Sequence, residues 1–140
     1  RAIHLALKDA KINKEQVDYI NFHGTSTIVN DKVETLAVKN LFNSLSPKIP
    51  VSSTKSMIGH PQGASGGLGV SVSLLSLYNN FLTPTINQEN PDPDCDLDYV
   101  PNKGREKNLN IAISNCISFG SKNSALVLGK FSRQNNPSFD

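Results

Sequence analysis

Two short runs carry the residues best suited to chemistry: Phe22-His23-Gly24-Thr25-Ser26-Thr27, and further on Ser53-Thr54-Lys55-Ser56-Met57-Ile58-Gly59-His60. Each sets a histidine beside glycine and hydroxyl residues, downstream of a segment with strand composition. A neutral imidazole held at a strand end can donate a hydrogen bond to a developing oxyanion, and Lys55 adds a fixed positive charge nearby. Such groups suit carbonyl chemistry. A single histidine is more often structural than catalytic, and two in matched contexts weigh more than one. Lys55 could instead be an exposed lysine in a turn, and Ser and Thr are common in turns for local backbone reasons.

The elements that position these residues follow from the pattern around them. Ala2, Ile3, Ala6, Leu7 and Ala10 recur at helical spacing, and residues 17–22 have the composition of a strand ending at His23. Asp31 is placed to cap a helix whose first turn holds Glu34, a capping-box spacing. Val33, Leu36, Ala37, Val38, Leu41 and Phe42 would be its apolar face. Residues 49–52 then form a short strand delivering Lys55, so both histidines follow strands, where open α/β sheets place ligands.

Residues 61–88 hold no charged side chain and include Gly63, Gly66, Gly67 and Gly69. Each glycine costs a helix about 1 kcal/mol, so a helix here needs close backbone packing and is expected in the middle of the fold. A membrane segment is the rival reading, but the serines and glycines leave too little apolar length. Asp92, Asp94, Asp96 and Asp98 alternate in a turn-rich stretch that lacks the glycine and terminal glutamate of an EF-hand, so a solvated loop is expected. Residues 109–114 and 124–129 read as two strands joined by a functional loop rather than a tight turn. The stretch 132–140 reads as a mobile tail.

A chain of 140 residues is one domain's worth and can bury about two thirds of its unfolded surface. Its net charge of +2 comes from mixed charges without a basic block, so nothing asks for nucleic acid or an anionic membrane. Cys95 and Cys116 are not in a paired spacing that suggests metal or a disulfide framework, which points to reduced thiols in a cytosol-like compartment. There is no apolar run of spanning length and no signal-peptide pattern. Arg1 stands at the start of an apparent helix, as if the chain were cut from something longer, so missing targeting says little about a parent protein.

Four ordered stretches resemble a known family: NFHGTST with Asp31 and Glu34 following, VSSTKSMIGH, PTINQENPDPDCDLDYVPN and SNCISFGSKN. Over residues 1–131 they look like the C-terminal half of the β-ketoacyl-acyl-carrier-protein synthases of the elongating, type II kind. The resemblance implies an α/β chain forming the C-terminal half of a thiolase-like, layered α-β-α-β-α fold; periodicity alone gives only α/β. It also implies an acyltransferase of fatty acid or polyketide synthesis. In that reaction a cysteine carries an acyl chain, a malonyl thioester loses carbon dioxide, and the resulting enolate attacks the acyl thioester.

By the resemblance, His23 and His60 match the two oxyanion-binding histidines, and Lys55 matches the family lysine. Glu34 matches its expected ion-pair partner, with Asp31 supporting. Thr25 and Thr27 match positions that hydrogen-bond the phosphopantetheine arm, while Phe119, with Gly120 and Ile117, matches the acyl-pocket gate. The chain departs from the family at Ile117 and Ser118, in place of phenylalanine and glycine, and at Ser121 and Lys122, in place of glycine and threonine. Ile28-Val29-Asn30 also replaces a proline- and glycine-bearing turn. These changes bear on the gate and on chain-length preference, not on the histidines.

The family's nucleophilic cysteine lies in the N-terminal half, and Cys95 and Cys116 sit in the wrong motifs to replace it, so this fragment alone is expected to be inactive. Implied partners are acyl carrier protein, the N-terminal half and, for the full-length protein, a second copy in a homodimer. The implied location is the cytoplasm, or an organelle matrix in a eukaryote, with no metal and no cofactor beyond the substrates' phosphopantetheine arm. Two other readings stand beside this one: a non-catalytic synthase-like subunit that shapes an acyl tunnel or docks carrier protein, and a small zinc or binding domain using His23 and His60.

Overall fold

The computed structural model describes residues 1–131, without the Ser121 side chain, so the expected tail at 132–140 lies outside the described residues. Helix α1 (Ala2–Ala10) buries Ile3 and Leu7, one face of the expected helical repeat. Lys11 ends it in the left-handed region, and its backbone N–H bonds the carbonyls of Leu7 and Lys8. A 3₁₀ turn, Lys14–Gln16, leads to strand β1 (Tyr19–Asn21), which is wholly buried and shorter than the composition suggests.

Then come α2 (Ile28–Phe42), β2 (Val51–Ser52), α3 (Lys55–Ile58) and α4 (Ser65–Asn79). Strands β3 (Phe81–Leu82), β4 (Arg105–Glu106), β5 (Ile111–Ser118) and β6 (Lys122–Gly129) complete the chain. The main sheet has the order β2-β1-β5-β6, parallel except for the β5-β6 hairpin, and β3 pairs with β4 in a small antiparallel ribbon.

Alternation along the strands divides the core between the two faces of the sheet. Ile20, Phe22 and Ile113 pack with Ile3 and Leu7 of α1 and with Val38 and Phe42 of α2. Tyr19 and Ala112 pack with Leu77 of α4 and with Leu82, Val100 and Leu109. The chain is therefore a three-layered α/β/α unit.

Helix α2 begins earlier than expected, and only part of its expected apolar face, Val38, Leu41 and Phe42, turns inward. Thr27, not Asp31, is the N-cap, its hydroxyl accepting the Asn30 backbone N–H at 3.3 Å. The buried residues are Glu34, Thr35, Val38 and Phe42, while Val33 and Leu36 are more than half exposed. The difference has a polar cause: Glu34 is drawn in by backbone N–H groups of the loop after β1.

Helix α4 does not sit in the middle of this chain. It presses a face of Ser65, Gly69, Ser73, Ser76 and Leu77 onto the sheet and leaves Leu74, Leu75 and Tyr78 exposed. Gly69 is needed at that contact, because an added Cβ would stand 2.8 Å from Ser114 Oγ and 3.3 Å from Asn21 Oδ1.

The acidic stretch is the solvated loop expected, without helix or strand and with Asp92, Asp94 and Asp96 exposed, and surface ion pairs run along it. Lys32 pairs with Asp94 at 2.7 Å and Asp92 at 3.5 Å, Lys39 pairs with Asp96 at 2.7 Å, and Arg105 pairs with Asp98. The expected long loop between the last two strands is corrected. Pairing runs from Ile111 with Gly129 to Ser118 with Lys122, and only Phe119–Ser121 turn the chain, with Gly120 at a φ of 74°. Among the described residues no helix is long and apolar enough to cross a membrane.

Candidate active site

The site is built at the carboxyl ends of β1 and β2, where parallel strands open into loops. Phe22 extends β1 by donating its backbone N–H to Ser52 O at 2.9 Å, and His23 follows at once. Gly24 then turns the chain at a φ of 43°, and a Cβ there would lie 2.4 Å from Ser53 Cβ. Only glycine fits. In the space so left, Ser53 Oγ donates to Gly24 O at 2.6 Å and stitches the first motif to the second.

Glu34 fixes the first loop from beneath. Its Oε1 accepts the His23 N–H at 2.8 Å and the Asn115 amide at 2.7 Å, and its Oε2 accepts the Gly24 N–H at 2.9 Å and the Asn30 amide at 3.3 Å. All four neighbours are donors, so a carboxyl proton would have nothing to bond, and the geometry suits the ionised form. Burial pushes the Glu34 pKa up, and the four hydrogen bonds oppose that rise.

His23 is buried, and its Nδ1 has no hydrogen-bond partner among the described residues. Its pKa falls from 6.5 to about 4, first because burial penalises the charged ring and then because Lys55 and His60 add positive charge nearby. The ring is neutral at physiological pH.

His60 is reached by a different route. After β2, Lys55 opens the single turn α3, Gly59 ends it at a φ of 76°, and His60 follows on an exposed loop. One short helix thus stands between strand and histidine, where the sequence suggested direct succession. His60 Nδ1 lies 3.1 Å from both the Gln62 backbone N–H and Ser65 Oγ. A backbone N–H can only donate, so Nδ1 is an acceptor, and the neutral ring carries its proton on Nε2. The His23 and His60 ring centroids are 5.4 Å apart with the planes at 81°, so the two motifs converge on one place.

Lys55 is half-buried at the start of α3. Burial pulls its pKa below the ordinary lysine value, while the Cys116 thiol and the Glu34 carboxylate favour the charged form. The direct Glu34–Lys55 ion pair expected from the sequence does not form; the four ion pairs among the described residues lie elsewhere, because both Glu34 oxygens are taken by amide donors. Asp31 instead accepts the Asn30 amide at 3.1 Å and, through its backbone carbonyl, the Thr35 hydroxyl at 2.6 Å.

Thr25 and Thr27 stand at the rim with their hydroxyls 3.2 Å apart, and Thr27 also serves the helix cap. Ile117 is partly buried near the end of β5, while Phe119 and Gly120 are exposed at the hairpin tip. Sequence reasoning passed over Gly24, Ser53, Gln62, Ser65 and Asn115. Gly24, Ser53 and Asn115 lie inside the quoted motifs, where they could have been found; Gln62 and Ser65 show only through their contacts with the His60 ring. Among the described residues no group of three or more His, Cys, Asp or Glu side chains is placed to hold a metal ion.

A family model described as the C-terminal domain of beta-ketoacyl synthase matches residues 1–89, well over half of the chain. The chain belongs to the β-ketoacyl synthases. This synthase chain is 50% identical over 125 residues to 3-oxoacyl-[acyl-carrier-protein] synthase 2 of Coxiella burnetii, covering 89% of the chain and 30% of the relative. It is 47% identical over 131 residues to the protein of the same name from Synechocystis sp., covering 94% and 32%.

Among solved structures, the ishigamide ketosynthase/chain length factor superposes with a TM-score of 0.90 at 39% identity, covering 94% of this chain and 32% of that one. A type II polyketide ketosynthase in complex with its acyl-carrier protein, AntDE:AntF, gives 0.88 at 38%, covering 93% and 32%. The chain thus spans about a third of the length of the curated relatives it matches. Its fold is that of the thiolase-like ketosynthases.

Proposed function

We propose that this chain supplies the oxyanion site of a β-ketoacyl-[acyl-carrier-protein] synthase in fatty acid or polyketide synthesis, the rest of the protein supplying the nucleophilic cysteine. The reaction is a decarboxylative Claisen condensation. The bond between the malonyl carboxylate and its methylene carbon breaks, carbon dioxide leaves, and the electron pair is held as a thioester enolate. The enolate carbon then attacks the enzyme-bound acyl thioester, a carbon–carbon bond forms, and the cysteine thiolate departs.

The observation that carries this reading is the convergence of His23 and His60 at 5.4 Å with His60 protonated on Nε2 and His23 held neutral. Two neutral N–H donors can stabilise the enolate oxygen without giving up a proton, and each preorganised donor of this kind contributes about 3 kcal/mol. Lys55 adds a fixed positive charge beside them. Thr25 and Thr27 hydrogen-bond the phosphopantetheine arm, and Phe119 with Gly120 and Ile117 borders the acyl pocket. No resident cofactor is called for, because the thioester carbonyl itself accepts the electron pair.

In this reading the partners are acyl carrier protein, the N-terminal half and a second copy of the full-length protein, and the isolated chain does not form the acyl-enzyme. The exposed apolar face of α4, with Leu74, Leu75 and Tyr78, agrees with a chain that packs against further protein. The test is carbon dioxide release from a malonyl thioester by the full-length protein. His23→Ala and His60→Ala should each lower it by about 100- to 1000-fold. Either variant working at near the parent rate would remove the oxyanion assignment. A full-length sequence without an upstream cysteine nucleophile would favour the reading as a non-catalytic partner subunit.

A further inference from the structure

Asn115 lies on β5, buried to 9% exposure, 81 residues from the carboxylate it meets. Its amide donates to Glu34 Oε1 at 2.7 Å, the shortest of the four bonds that carboxylate accepts. The same oxygen holds the His23 N–H, so Asn115 and the histidine backbone share one atom. If the carboxylate turned away, the His23 and Gly24 amides would lose their acceptor. The Asn115 amide, bonded to the same oxygen as the His23 N–H, holds it where the amides are.

We infer that Asn115 is a positioning residue for the oxyanion site: it keeps the Glu34 carboxylate on the His23 and Gly24 backbone amides, and it ties that backbone to the strand leading to the Phe119 turn. The inference rests on the proposed role of His23 as an oxyanion donor. Asn115 touches no reacting atom in this account; it acts through Glu34 on the placement of the His23 ring.

The test is steady-state carbon dioxide release from a malonyl thioester by the full-length protein, with kcat and KM separated, in the parent, Asn115→Ala, Asn115→Asp and His23→Ala. Misplacing a reacting group by about 1 Å costs on the order of 100-fold, so Asn115→Ala should lose about 30- to 100-fold in kcat with KM held within about threefold. Asn115→Asp keeps the shape and adds a carboxyl group against Glu34. The two cannot both ionise at that distance and share one proton. The shared proton restores the hydrogen bond at low pH and is lost as pH rises, so kcat of this variant should fall with rising pH where the parent's does not. The other titratable groups around Glu34 are Lys55 on α3, Cys116 next to Asn115 on β5, His23 after β1, and Asp31 on α2, all unchanged in the variant.

Parent-like kcat in Asn115→Ala, or a parent-like pH profile in Asn115→Asp, would overturn the inference. If Asn115→Ala does not fold, Asn115→Asp at low pH carries the test. If His23→Ala is silent while Asn115→Ala is parent-like, the role of Asn115 alone fails. If His23→Ala is itself parent-like, or the parent releases no carbon dioxide, the oxyanion reading fails and this inference fails with it.

Discussion

The loop after β1 and the segment after β2 bring two histidines to one spot by opposite means. His23 is buried, and its backbone is clamped by Glu34 while its Nδ1 has no partner among the described residues. His60 is exposed, and its ring is clamped through Nδ1 by Gln62 and Ser65 while its backbone lies in a loop beyond a single helical turn. One ring is neutral because water is excluded from it; the other has its tautomer set by a backbone donor. The difference teaches that a matched pair of motifs need not mean matched supports. Damage should spread far on the His23 side and stay local on the His60 side.

Gly24→Ala should break the comparison most severely. The new Cβ overlaps Ser53 and the residue must hold a positive φ, so about 3 kcal/mol or more of stability should go, read as the urea midpoint of the full-length protein. A loss under about 1 kcal/mol would mean that the loop can move aside. Glu34→Ala should follow, at about 3 kcal/mol, because two buried amides lose their acceptor. An unchanged midpoint there would show that water replaces the carboxylate.

The third prediction sharpens the contrast through pH. His23 should titrate with a midpoint of about 4 by NMR of its ring carbons, against 6.5 for an unhindered ring. The sign follows from proton binding: between pH 6.5 and 4 the unfolded chain takes up a proton at His23 that the folded chain refuses. This contribution to stability is therefore complete above pH 6.5 and is lost as pH falls toward 4. A midpoint near 6.5 would mean that the ring is solvated. The smallest effect is expected for Ser65→Ala, which removes one of the two contacts on His60 Nδ1 but leaves the Gln62 N–H in place. It should cost about 1 kcal/mol and less than tenfold in carbon dioxide release, and a loss as large as that of His60→Ala would assign the ring's orientation to Ser65.

The same contrast explains what could be read in the sequence. His23, Lys55 and His60 were legible because each sits among glycine and hydroxyl residues after a strand, and strand composition at 17–22 and 49–52 located those strands. The start of α2 was not. Thr27 and Asp31 are both good caps, and the glutamate that suggested a capping box at Asp31 is committed to the amides after β1. That carboxylate also accepts the amide of Asn115, 81 residues away, which no local pattern records. The hairpin tip was misjudged because Asn115 to Asn123 mixes turn formers with strand residues, and the ladder runs on through them to Ser118 and Lys122. In α4 only Gly69 meets the close packing that the glycines suggested, and nothing in the pattern showed that Leu74 and Leu75 would face away.

The central claim is that two neutral imidazoles donate to a single oxygen. A structure of the full-length protein with a non-hydrolysable malonyl thioester analogue tests it most directly. The account predicts the thioester oxygen at about 2.7–3.1 Å from a ring nitrogen of both His23 and His60. A thioester oxygen bonded to neither ring, or to one while the other turns to a different partner, would contradict it.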